Sequence, residues 1–186
     1  MGMINNFLAL TLQLSVPIIL GALCGTIAER GGVVMLGVEG MMYMGAIFGF
    51  VGGYYAGSVL LMLLLAFAGG ALGALIYVVL TVTLKANQNV TGLTLTIFGT
   101  GLANFIGENI VLNSPSQTAK VSDELMARIT NAGIPLLKEI PVLGPMLFDT
   151  NIFVYLGIVI AVAMGLYLNH TRVGLNLRAI GENPAA

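Results

Sequence analysis

A few side chains in a strongly apolar sequence have the types and spacing to handle a polar solute. Glu39 stands within an apolar run from Val33 to Tyr55. A carboxylate at the centre of a bilayer costs roughly 2.5–3.5 kcal/mol on insertion scales. Chains accept that cost where the group faces a bundle interior or a polar pathway. Tyr43 lies at i+4, on the same helix face, where its hydroxyl could donate to the carboxyl. Three readings stand side by side: a carboxylate beside a transport path, a hydrogen bond that locks two helices, or a residue near the interface that does little. Thr96, Thr100, Asn104 and Glu108 also follow one another at i+4, with Thr94 nearby. Each such step drifts about 40° round a helix, so the four share one broad face. That face is expected to line a pathway, with interhelical hydrogen bonding as the alternative, and with Glu108 at the membrane edge as a further reading in which it does little.

The same inventory argues against enzyme chemistry. His170 is the only histidine and Cys24 the only cysteine, so no multi-histidine metal site and no intrachain disulfide can form. No Ser/His or Cys/His pair accompanies the carboxylates. No catalytic residue, metal or cofactor is expected.

The elements that must position these residues are apolar helices. The chain is 58% hydrophobic and 8% charged, with a mean hydropathy of +0.98. Soluble domains carry about 25% charged residues, so this chain lacks the polar surface of a soluble globule. Its apolar runs are continuous rather than alternating, which argues against a β-barrel. The expected fold is an all-α polytopic membrane protein. A net charge of −1 indicates no nucleic-acid partner.

Five spans are expected, over about residues 4–28, 33–55, 58–84, 90–112 and 152–168. The first is read as a retained helix: Leu23 is too large for a lipoprotein cleavage site before Cys24, and no Lys or Arg precedes it. Pro17 is expected to kink it. Gly45, Gly49 and Gly53 in the second span, and Gly69 and Gly73 in the third, leave bare faces for close helix approach. Gly92, Gly99, Gly101 and Gly107 are expected to break or tilt the fourth span, as in the discontinuous helices of many transport sites. Residues 113–150 form a proline-rich, charged connector whose apolar half, Ile134–Phe148, suits the membrane interface. Arg30, Lys85, Arg172 and Arg178 fall on one side of five spans, and Lys120, Arg128 and Lys138 on the other. This small bias points the tail, 169–186, to the cytoplasm, and 113–150 outside together with the N-terminus.

Three stretches carry a family likeness. Glu29–Met44 reads Glu-Arg-Gly-Gly-Val-Val-Met-Leu-Gly-Val-Glu-Gly-Met-Met-Tyr-Met, Ile134–Phe148 contains Ile-Pro-Val-Leu-Gly-Pro, and Thr171–Ala186 ends Arg-Ala-Ile-Gly-Glu-Asn-Pro-Ala-Ala. These resemble the membrane subunits of bacterial ABC importers of the ribose and branched-chain amino acid group. The similarity is closest to nucleoside permeases that work with basic-membrane-protein-type binding lipoproteins. Met35 departs from the pattern, since family members often have Asn there.

The resemblance implies a multi-pass protein of the bacterial cytoplasmic membrane that imports a nucleoside. Its implied partners are a cytoplasmic ATP-binding cassette subunit, a second permease subunit, an extracytoplasmic substrate-binding protein and membrane lipid. ATP hydrolysis is expected on the separate subunit, and the sequence contains no G-x-x-x-x-G-K-[ST] phosphate loop. The tail resembles the loop that couples to the ATPase. On that likeness Arg178 and Glu182 make polar contacts with it, Gly181 lets the backbone turn, and Asn183 and Pro184 open a capped helix. Permeases of this family continue through further spans, so the chain is expected to be an N-terminal portion. Alternatives are a sugar or branched-chain amino acid ABC permease, and an ion-coupled secondary transporter or channel.

Overall fold

In a computed structural model, residues 2–114, 118–130 and 151–182 are described. The expected interfacial segment Ile134–Phe148 and the expected cap at Asn183 and Pro184 lie outside them. Every regular element among the described residues is helical: α1 (Gly2–Arg30), α2 (Val38–Ala56), α3 (Val59–Val78), α4 (Gln88–Leu112), α5 (Asp123–Thr130), α6 (Ile152–His170) and α7 (Arg172–Glu182). The chain is an all-α polytopic membrane protein.

Four helical stretches are long and apolar enough to cross a bilayer: Phe7–Arg30, Val59–Thr83, Gln88–Leu112 and Ile152–His170. They match four of the five expected spans to within a few residues. Asn87 caps α4, accepting from the backbone N–H groups of Asn89 and Val90 at 3.0 and 3.3 Å. The stretch from Val59 ends in a π-helical turn, Val79–Thr83, and the chain then reverses at Lys85, whose φ is +51°. Asn151 caps α6 in the same way as Asn87 caps α4.

The second span differs. Residues 33–37 are not helical, and α2 starts at Val38. Gly37 stands at the N-cap, and the backbone before it is engaged by tertiary hydrogen bonds. The Val34 N–H donates to Gln88 Oε1 at 2.9 Å, and the Val34 carbonyl accepts from the Tyr77 hydroxyl at 2.6 Å. Just upstream, the chain turns at Gly31 and Gly32, where Gly32 has a φ of +76°. The remaining 19 residues of α2 carry Glu39, five glycines and three tyrosines, which keep it out of the strongly apolar set.

The chain divides into two compact units, one containing α1, α6 and α7, the other spanning Val33–Leu125. In the second unit α2 packs on both α3 and α4. A Cβ on Gly45 would stand 3.1 Å from the Ala66 carbonyl, and one on Gly69 2.8 Å from the Met44 carbonyl. These glycines therefore serve close packing, as expected. Gly92 and Gly99 do not break α4, which runs unbroken for 25 residues. They admit α2 instead: a Cβ on Gly92 would lie 2.9 Å from the Gly37 nitrogen, and one on Gly99 would collide with the Gly40 carbonyl. Met41, Met44, Tyr77 and Leu95 fill the core between the three helices.

In the first unit, Val16 of α1 fits the gap left by Gly157 of α6. Thr171 opens α7 by accepting from the Gly174 N–H at 3.2 Å. The helix then runs through Glu182, so the backbone turn expected at Gly181 is absent.

Candidate functional site

The polar face of α4 is built as its i+4 spacing requires, but its members have separate jobs. Thr96 is half-buried, with its hydroxyl shared between the Gly92 carbonyl at 3.2 Å and the Leu36 carbonyl at 3.3 Å. The second of these ties α4 to the stretch before α2. Thr100 bonds back to the Thr96 and Ile97 carbonyls, both at 2.9 Å, which satisfies a hydroxyl in an apolar setting without a partner helix.

Asn104 and Glu108 are different. Both are exposed, and among the described residues neither side chain makes a hydrogen bond. They line an open groove of about 450 Å³ together with Ala103, Gly107, Val111 and Leu112. Gly107, without a side chain, keeps this side of α4 low, and Gly101 one helical turn before Asn104 borders open space. An amide and a carboxylate one turn apart, beside a bare backbone, offer two donors and several acceptors in one line. In lipid they would be left unsatisfied at a cost of several kcal/mol. Water, a polar solute or another polar helix surface must meet them.

Glu39 is also exposed, and the late start of α2 changes its meaning. It stands in the first helical turn rather than deep in a span. There the helix dipole favours a carboxylate by roughly 0.3–1 kcal/mol. Tyr43 is 49% exposed on the same side, and no hydrogen bond joins it to Glu39. No hydrogen bond or ion pair among the described residues links this pair to Asn104 or Glu108. Thr96 alone of the candidate residues is brought to the segment that leads into α2.

The candidate coupling residues separate as well. Arg178 donates to Asn169 Oδ1 at the end of α6, and its Nε is buried without a partner. Gly181 lies against the last residues of α1. Glu182 is exposed at the end of α7.

Sequence reasoning missed Tyr77 and Gln88, which hold the segment before α2. A lone phenol in the otherwise apolar α3 and a glutamine beside a helix start were the available signals. It also missed Gly40, where α2 crosses α4.

Comparison with known proteins follows the same lines. TsgC13 of Haloferax volcanii, which carries the name of a glucose ABC transporter permease protein, is 32% identical over 184 residues, covering 99% of this chain and 54% of its own length. NupQ of Bacillus subtilis, a guanosine ABC transporter permease protein, is 34% identical over 183 residues, 95% of this chain and 56% of its own length. NupC of Lactococcus lactis subsp. cremoris, a nucleoside ABC transporter permease protein, is 34% identical over 179 residues, 92% of this chain and 54% of its own. The chain thus spans about half the length of the curated relatives it matches. No solved structure matches it. The family described as branched-chain amino acid transport system / permease component matches residues 7–186, and this chain, a multi-pass membrane protein, belongs to that family.

Proposed function

We propose that this chain forms part of the permease subunit of an ATP-driven importer that carries a nucleoside across the cytoplasmic membrane. The observation that carries the reading is the 34% identity to a guanosine and a nucleoside permease across more than nine-tenths of the chain. The residues agree with it physically. A nucleoside presents ribose hydroxyls and base edges that both donate and accept. Asn104 and Glu108, exposed one turn apart on α4, supply the matching amide and carboxylate. Glu39 and Tyr43 are a second polar pair for the same route, and Thr96 and Thr100 shape its wall. Helix α2 crosses the membrane beside α3 and α4, and these three give that route its wall.

In this reading ATP is hydrolysed on a separate cytoplasmic subunit, the partner that an ABC permease implies. An extracytoplasmic binding protein delivers the solute, and a second permease subunit completes the pathway. Glu182, exposed at the end of α7, faces the ATPase. A sugar is the second reading for the solute, favoured by the 32% identity to the glucose-named relative.

Uptake of radiolabelled guanosine decides between the two. The gene is expressed with its ATPase and binding-protein genes in cells that lack nucleoside uptake. ATP-dependent uptake is expected, cut by excess unlabelled nucleoside and unaffected by glucose or leucine. Asn104→Leu should lower it while leaving membrane insertion intact. ATP-dependent uptake of labelled glucose with no uptake of guanosine would transfer the assignment to sugars. Uptake that ignores loss of the ATPase would remove the importer reading altogether.

A further inference from the structure

We propose that α7 is a clasp on the exit of α1, and that Gly181 is the positioning residue through which movement of α7 reaches the Glu29–Gly32 turn. The proposal rests on the importer reading for its purpose, but its geometry is independent of the solute.

Three contacts make the clasp. Gly181 lies backbone to backbone against α1. A Cβ there would run into the Arg30 carbonyl oxygen, and would stand 2.9 Å from the Arg30 carbonyl carbon and 3.2 Å from the Gly32 nitrogen. One turn earlier, Leu177 covers Gly31, with its Cδ1 3.2 Å from where a Gly31 Cβ would be. Between these two in sequence, Arg178 donates to Asn169 of α6. The residue that a loop reading treats as a flexible turn is thus a point of close approach inside a helix.

The gripped turn has little slack of its own. Gly31 N–H donates to the Ala28 carbonyl and Gly32 N–H to the Glu29 carbonyl, both at 2.9 Å. Gly32 holds a φ of +76°, which side-chain-bearing residues rarely adopt. Two residues on in the chain, Val34 is fixed at its N–H by Gln88 and at its carbonyl by Tyr77. Packed groups without free volume pass displacement on rather than absorbing it. A shift of α7 is therefore delivered to the turn at the end of α1. The outer side of α7 carries exposed Val173, Leu175 and Ile180 beside Arg172 and Glu182, a surface on which an external push can act.

Two readouts test this in the complete transporter with Cys24→Ala. The first is disulfide formation between Gly31→Cys and Leu177→Cys under mild oxidant, which does not depend on transport. The second is uptake per ATP hydrolysed in Gly181→Ala, with Gly165→Ala as control because a Cβ at Gly165 meets nothing within 4 Å. The cysteines should link. Gly181→Ala, at normal membrane levels, should keep ATP hydrolysis and lower uptake per ATP about tenfold, the effect expected of overpacking at a tight contact. It should also reduce the cross-link, while Gly165→Ala changes neither. If Gly181→Ala does not accumulate, Leu177→Ala, which opens the contact without a clash, should show the same loss of coupling. Absence of the cross-link in the parent transporter overturns the clasp. A normal cross-link with normal coupling in Gly181→Ala, or normal coupling in Leu177→Ala, overturns its role. Failure of guanosine uptake with an intact cross-link overturns the nucleoside reading and leaves the clasp standing.

Discussion

The α2–α4 crossing and the α1–α6 pairing solve the same problem in different ways. Lipid tails are as apolar as leucine, so helices gain nothing in a bilayer merely by hiding aliphatic side chains from it. They associate by close packing and hydrogen bonds. At α2–α4 the backbones meet directly, Gly37 on Gly92 and Gly40 on Gly99, and Thr96 adds a hydrogen bond to Leu36. At α1–α6 one valine, Val16, enters one glycine gap at Gly157. Elsewhere α1 leaves Phe7, Leu10, Leu14 and Ile18 exposed. The trio of α2, α3 and α4 is a fixed scaffold that carries the polar face. Helix α1 has a smaller hold on its neighbour and a free aliphatic side for lipid or further protein.

The largest effect expected from this contrast is all-or-none. If α2 crosses the membrane within the trio, the residues before and after it lie on opposite sides. In Cys24→Ala cells, Ser58→Cys should react with an impermeant maleimide from outside, and Glu29→Cys should react only after permeabilisation. Reaction of both from the same side would mean that α2 does not cross, and the scaffold would need redrawing.

Next in size are the glycine contacts. Gly99→Val forces a side chain onto the Gly40 backbone and should cost more than the roughly 1–3 kcal/mol typical of overpacking, enough to remove most protein from the membrane. Gly101→Val, two positions away in open space, should accumulate at near the parent level, as read by immunoblot of membranes. Equal levels for the two would break the comparison. A smaller effect is expected from Tyr77→Phe. It removes one hydrogen bond to the Val34 carbonyl, worth about 0.6–1 kcal/mol between membrane helices. It should raise proteolysis near residues 33–37 severalfold without loss of insertion. No change in cleavage would mean that Gln88 and Thr96 hold the segment by themselves.

The helices themselves were legible because continuous apolar runs need only be counted. The start of α2 was not. Val33 to Gly37 reads as a continuation of the apolar run, and contacts with residues distant in sequence, Tyr77, Gln88, Gly92 and Thr96, engage it instead. That single shift moves Glu39 from a costly mid-span position to a helix start. The glycines show the same limit. Gly45 and Gly69 were read as packing residues from their spacing and are such. Gly92, Gly99 and Gly181 were read as breaks or turns, because a sequence does not say which backbone comes close. The i+4 spacing of Glu39 and Tyr43 gave a shared face and no more, since both side chains stand on a side of α2 that neither α3 nor α4 covers.

The central claim is that the exposed end of the α4 polar face meets a nucleoside. The direct measurement is maleimide labelling of Asn104→Cys in the complete transporter with Cys24→Ala, with and without guanosine. Labelling is expected, and guanosine should slow it several-fold while glucose and leucine do not. Labelling that guanosine leaves unchanged, or a cysteine that never reacts, would place Asn104 against lipid or protein and contradict the claim.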